Sequence, residues 1–244
     1  MTTDSIEAAN RLNAVRETMG RAARLTGRTA DDITLIAVSK IQDAAAIQPL
    51  IAAGQHVFGE NRVQEAQAKW PAIREQTPDI ALHLVGQLQS NKAADAVALF
   101  DAIHSLDRPS LLTALAKAMD AAGKQIPCFI QVNIGAEEQK GGCPIAETPS
   151  LIRAARDADV PVEGLMCVPP ADVEPAPYFA LLAKIARDEG LDQLSMGMSG
   201  DFETAIMLGA THIRVGTALF GERPSPARPV PTSGRGMIRN SREA

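Results

Sequence analysis

The chain has 244 residues, of which 45% are hydrophobic and 3% aromatic, with one Trp, one Tyr and a net charge of −5. That length suits a single α/β barrel, and the apolar share builds a sizeable core, chiefly from Ala, Leu, Ile and Val. The scarcity of rings and the lack of a long basic stripe argue against nucleic-acid binding, and no stretch reaches the length of a membrane span.

The N-terminus, MTTDSIEAANRL, carries acids and no apolar run, unlike a signal peptide. Three irregularly spaced cysteines, Cys128, Cys143 and Cys167, form no CxxC pair, which argues against a disulfide framework or a zinc site. A reduced, cytoplasmic setting is expected. From Ser5 to about Leu25, apolar Ile6, Ala9, Leu12, Val15 and Met19 recur at helical spacing, so an N-terminal helix is expected with that face buried. Thr26-Gly27 supplies a stop.

A strand–helix rhythm follows. Ile33–Val38 is a short, apolar, β-branched run suited to a strand covered on both faces, and a helix is expected from about Asp43 to Ala53. His56–Gly59 and Ala81–Val85 read as the next strands, with helices from about Arg62 to Gln76 and Asn91 to Val97. Ala102–Ser105 and Cys128–Asn133 follow, with helices from about Ser110 to Ala122 and Pro149 to Asp157. Val162–Cys167, Gln193–Gly197 and His212–Val215 complete eight strands, with helices from about Ala176 to Glu189 and Asp201 to Leu208 between them. Regular alternation requires parallel strands. Eight of them point to a single (β/α)8 TIM-type barrel with an extra N-terminal helix. The rival is an open doubly wound sheet, which a GxGxxG turn after the first strand would favour; there is none. After Glu222 the composition turns to Pro, Gly and Arg, so residues 1–222 are expected to form the barrel domain and 223–244 a disordered tail.

In a parallel barrel, chemistry sits where strands end. The first strand ends at Ser39-Lys40, which places an amine in the barrel mouth, where burial frees it as a nucleophile toward an aldehyde. The seventh ends in the Gly-rich stretch Ser195-Met-Gly-Met-Ser-Gly-Asp201, with Ser199 a candidate cap for the next helix. The eighth ends in Arg214-Val-Gly-Thr217. Backbone amides at Ser199, Gly216 and Thr217 would cradle an anion. A lysine opposite a phosphate cup makes a site for a phosphorylated aldehyde. His56, His83, His104 and His212 show no ligand spacing, so no metal is expected.

Five stretches, LIAVSK (35–40), FGENR (58–62), HLVGQLQSNK (83–92), LSMGMSGD (194–201) and IRVGTALFG (213–221), resemble the signatures of the YggS/PROSC family, the pyridoxal phosphate (PLP) homeostasis proteins. The family fold is similar to the N-terminal barrel of alanine racemase. The resemblance implies PLP as cofactor, held as a Schiff base on Lys40. Ser199, Gly216 and Thr217 would hold its phosphate, and Arg214 would face the pyridine nitrogen. Asn61, Met196 and Met198 are expected to line the site. His83, with Asn91 and Lys92, reads as a structural motif away from the mouth. Two departures stand out: Ile41-Gln42 follows Lys40 where many relatives have a second Lys, and the tail is basic through Arg rather than Lys. Lys140 matches a family loop and is read as a second cofactor contact or a solvated residue.

The resemblance implies a non-enzymatic protein that buffers or delivers PLP, with apo PLP enzymes as partners; composition argues against nucleic acid and membrane, and with no long exposed apolar face a monomer is expected. Two other readings stay open: a PLP-dependent racemase-like enzyme of narrow range, and an aldolase-like enzyme whose Lys40 takes a sugar phosphate. Racemization needs a second base opposite the lysine, and the only Tyr, Tyr178, is expected in a helix.

Overall fold

The computed structural model describes residues 3–221. The expected domain end at 222 and the tail over 223–244 lie outside the described residues. Helix α1 (Thr3–Leu25) leads into strands and helices in strict alternation. These are β1 (Thr34–Val38), α2 (Ala44–Ala52), β2 (Val57–Glu60), α3 (Val63–Gln76), β3 (Ala81–Leu84), α4 (Ala93–Leu99), β4 (Ala102–Leu106) and α5 (Pro109–Ala122). They continue as β5 (Cys128–Gln131), α6 (Thr148–Asp157), β6 (Val162–Met166), α7 (Ala176–Asp188), β7 (Gln193–Ser195), α8 (Phe202–Met207), β8 (His212–Val215) and α9 (Thr217–Phe220).

The eight strands close into one parallel barrel in sequence order, with β1 paired to β8 from Thr34↔His212 to Ala37↔Val215. The open-sheet alternative is thereby excluded. Local signals explain several boundaries. The Asp43 side chain accepts the Ala46 N–H at 2.9 Å and starts α2. Pro109 sits in the first turn of α5, and Gly123, at φ 57°, ends it.

The main core lies between sheet and helices. Trp70 of α3 is fully buried and packs on Phe58 of β2, ring centroids 5.1 Å apart. A second, inner layer fills the barrel: His83, His104, His212 and Phe129 are in ring contact with one another. α1 packs against α2, α8 and α9, outside the β1–β8 seam. Its buried stripe is Ala8, Leu12, Val15 and Met19, and Ile6 is 50% exposed. The expectation that Ile6 shares the buried face is corrected: the stripe passes through Ala8, one turn before Leu12, and leaves position 6 on the outer side.

Candidate functional site

At the C-terminal end of the strands a cavity of about 510 Å³ opens, within the size range of small-molecule sites. Lys40, Asn61, Ser199, Arg214, Gly216 and Thr217 all line it, together with apolar Val38, Val85, Val168, Met198 and Phe220. Met196 does not. It is fully buried in the main core, so its expected place in the site is corrected to Met198 alone. The cause is the short β7. The strand stops at Ser195, and Gly197 at φ 93° turns the chain, so the residue after it reaches the cavity and the one before it does not. Only glycine fits there, because a Cβ would come within 2.6 Å of Ala205 Cβ.

Lys40 follows β1 on a short loop that is held from behind. Glu60, at the end of β2, is fully buried, and its Oε1 accepts from Ser39 Oγ (2.7 Å) and Trp70 Nε1 (3.0 Å) and pairs with Lys69 Nζ (2.7 Å). Lys69 Nζ also donates to the carbonyls of Ser39 (2.9 Å) and Gln42 (2.8 Å). The Ile41 N–H donates to Glu65 Oε1. Two residues of α3, Glu65 and Lys69, therefore fix the backbone on both sides of Lys40. They do so with Ile41 at φ 61°, a region unfavourable for a β-branched side chain. The Lys40 side chain itself makes no hydrogen bond or ion pair with another described residue, and it stays free toward the cavity.

The opposite wall is main chain. Ser199 Oγ accepts the N–H groups of Gly216 (3.3 Å) and Ala218 (3.4 Å). It does not cap α8, as expected from sequence; Asp201 flanks that helix and accepts the Met198 N–H at 2.5 Å. A Cβ at position 216 would lie 3.3 Å from the Val38 carbonyl oxygen, so a side chain there would press on the end of β1. Amides and a hydroxyl converging on one turn suit an anion.

Arg214 of β8 reaches the cavity from the barrel interior. It is 5% exposed, and burial pushes its pKa below the ordinary guanidinium value, with Cys167 and Asp201 partly offsetting this. It donates to Ser195 Oγ at 2.7 Å and to the Cys167 carbonyl at 2.8 Å. Burial raises the Cys167 thiol to about 12, which removes it as a thiolate nucleophile. Lys140 pairs with Glu137 at 2.5 Å and donates to the Pro169 carbonyl at 3.0 Å, so it is neither a lining residue nor a free one. His83 points into the barrel toward His104, while Lys92 pairs with Asp95; they form no common motif. Sequence reasoning missed the clamp of Glu60, Glu65 and Lys69. Its one readable signal was the Glu65–Lys69 spacing of one helical turn.

The sequence matches the family described as alanine racemase, N-terminal domain, over residues 10–224. It is 38% identical over 229 residues to the pyridoxal phosphate homeostasis protein of Escherichia coli strain K12, covering 89% of this chain and 97% of that one. The protein of the same name from Pseudomonas aeruginosa is 37% identical over 223 residues, covering 88% and 95%. Among solved structures, PipY of Synechococcus elongatus with PLP bound superposes with a TM-score of 0.76 at 38% identity, covering 88% of this chain and all of that one. Alanine racemase of Clostridium difficile gives 0.69 at 13% identity, over 90% of this chain and 57% of that one, a likeness of fold alone.

Proposed function

This chain belongs to the pyridoxal phosphate homeostasis proteins within the alanine racemase N-terminal domain family, and we propose on that premise that it holds PLP in the cavity and serves the cell's PLP balance by keeping and releasing the cofactor. The observation that carries this reading is that three kinds of group line one cavity: an unpartnered lysine amine, a hydroxyl-and-amide turn, and a buried arginine. They match the aldehyde, the phosphate and the ring nitrogen of PLP. The cofactor supplies the reactive aldehyde, and Lys40 is the residue that would carry it covalently.

Each wall has one task in this reading. The clamp behind Ser39 and Gln42 keeps the Lys40 amine facing the cavity. Ser199 and the turn at Gly216 and Thr217 receive the phosphate. Arg214 offers only N–H donors to the pyridine nitrogen, so it accepts no proton and withholds one from the ring, which weakens the ring as an electron sink. Val38, Val85 and Phe220 supply apolar surface, and Asn61 lines the same space.

A role in balance rather than turnover is supported by the cavity's titratable groups. Among the lining residues only Lys40 and Arg214 are ionisable, and Tyr178 packs half-buried on α7 against the core, away from the cavity. A second base for racemization is not among them. Purified protein loaded with PLP should show a visible absorbance band that Lys40→Ala abolishes. Exchange of amino-acid α-protons at more than about 1 per second would overturn the non-catalytic reading. No band in the wild type would overturn the cofactor assignment itself.

A further inference from the structure

Beneath the cavity the barrel holds polar groups that the proposed function leaves unused. Ser195 Oγ, which accepts from Arg214, also lies 2.8 Å from His104 Nδ1. His104 Nε2 in turn lies 3.0 Å from His83 Nδ1. Arg214, Ser195 and His104 are all buried, and His83 is only partly so. Side chains from β8, β7, β4 and β3 thus form one chain of three hydrogen bonds across the barrel.

The direction of those bonds can be worked out. Both histidines are neutral at neutral pH. Burial first, then His83, His212 and Arg214, holds His104 well below its ordinary value. Burial takes His83 to about 4, against a smaller opposing pull from Asp101. Each ring therefore has one donor and one acceptor nitrogen. A guanidinium can only donate, so Arg214 gives a proton to Ser195. The Ser195 hydroxyl has a single hydrogen, and His104 Nδ1 is its remaining partner among the described residues. If the hydroxyl donates, His104 carries its proton on Nε2 and donates to His83 Nδ1, and His83 presents its own Nε2–H outward. If instead His104 donated to Ser195, the hydroxyl hydrogen would be buried without an acceptor, a costly arrangement. Only the first arrangement uses every buried group.

We propose that Ser195 and His104 are positioning residues: a one-way relay, Arg214 to Ser195 to His104 to His83, locks the plane of the guanidinium and so sets how Arg214 meets the ligand in the cavity. The bond from Arg214 to the Cys167 carbonyl fixes one corner of that plane and Ser195 fixes the second. With one corner released, the guanidinium pivots about the other. The effect on the ligand rests on reading the cavity as a PLP site; the direction of the relay does not.

Two measurements test this separately. In ligand-free, 15N-labelled protein, long-range imidazole correlations should show His104 and His83 both as Nε2–H tautomers. A His104 protonated on Nδ1, or one exchanging between tautomers, overturns the relay. In PLP titrations, Ser195→Ala should weaken retention roughly tenfold, as expected for losing one hydrogen bond to a charged group, and should shift the wavelength of the bound band. Ser195→Thr, which keeps the hydroxyl, should restore both. Unchanged affinity and wavelength in Ser195→Ala overturn the positioning role. A wild type that takes up no PLP sinks the proposed function, and the imidazole spectrum then still decides the relay.

Discussion

The two walls of the cavity achieve fixed geometry by opposite means. On the β1–β2 side, order comes from long side chains: a buried Lys69–Glu60 pair and Glu65 grip the backbone around Lys40. On the β7–β8 side it comes from the main chain, with Ser199 gathering the amides of Gly216 and Ala218. The contrast shows where each is vulnerable. A buried ion pair concentrates its contribution in a few atoms, and deleting one partner strands the other charge in a medium that solvates it poorly. Only a proline removes a backbone amide; any other substitution can merely crowd it or deprive it of its hydroxyl.

Acid strikes neither wall but the histidine layer inside the barrel, and it has the largest expected effect. Burial lowers His83 and His212 from 6.5 to about 4, so the unfolded chain binds protons that the folded chain refuses. Stability is then intact above pH 6.5 and falls by about 1.4 kcal/mol per pH unit for each histidine as pH drops toward 4. Urea unfolding at a series of pH values reads this directly, and a flat profile across that window would contradict it.

Lys69→Met strikes the side-chain wall alone. Leaving Glu60 buried and unpaired should cost about 3–5 kcal/mol in denaturant unfolding, and adding Glu60→Gln should return a large part of it. Ser199→Ala strikes the other wall. It should change stability by less than about 1 kcal/mol while weakening PLP retention about tenfold by calorimetry. Equal stability losses from these two variants would erase the distinction between the walls. The smallest effect is at the seam of the clamp: Ile41→Gly relieves a positive φ at a residue 65% exposed and should stabilise the protein by about 1 kcal/mol.

The barrel was legible from sequence because each apolar run and its following helix are local features with local stops. Lys40, Asn61, Ser199, Arg214, Gly216 and Thr217 were legible for the same reason, since a strand's end fixes which rim a residue occupies. Met196 was misplaced because exchanging it with Met198 depends on where β7 stops and on the turn at Gly197, and neither is visible in a run of small residues. Ile6 was misplaced because Ala8 is too weakly apolar to mark the true stripe. Beyond the Glu65–Lys69 spacing, the clamp and the histidine layer were not legible. His83, His104 and His212 sit on separate strands and meet only once the sheet has closed, and Glu60 finds Lys69 and Ser39 only when β2 lies beside β1.

Closure of the sheet has a further consequence for how this protein can meet others. Among the described residues, a ring in which β8 hydrogen-bonds back to β1 leaves no strand with a row of vacant N–H and C=O groups, so this sheet offers no template on which a foreign peptide could be added as a ninth strand. A protein partner would meet this barrel through loop tips and helix faces, which are set by side chains and are easily retuned without disturbing the barrel.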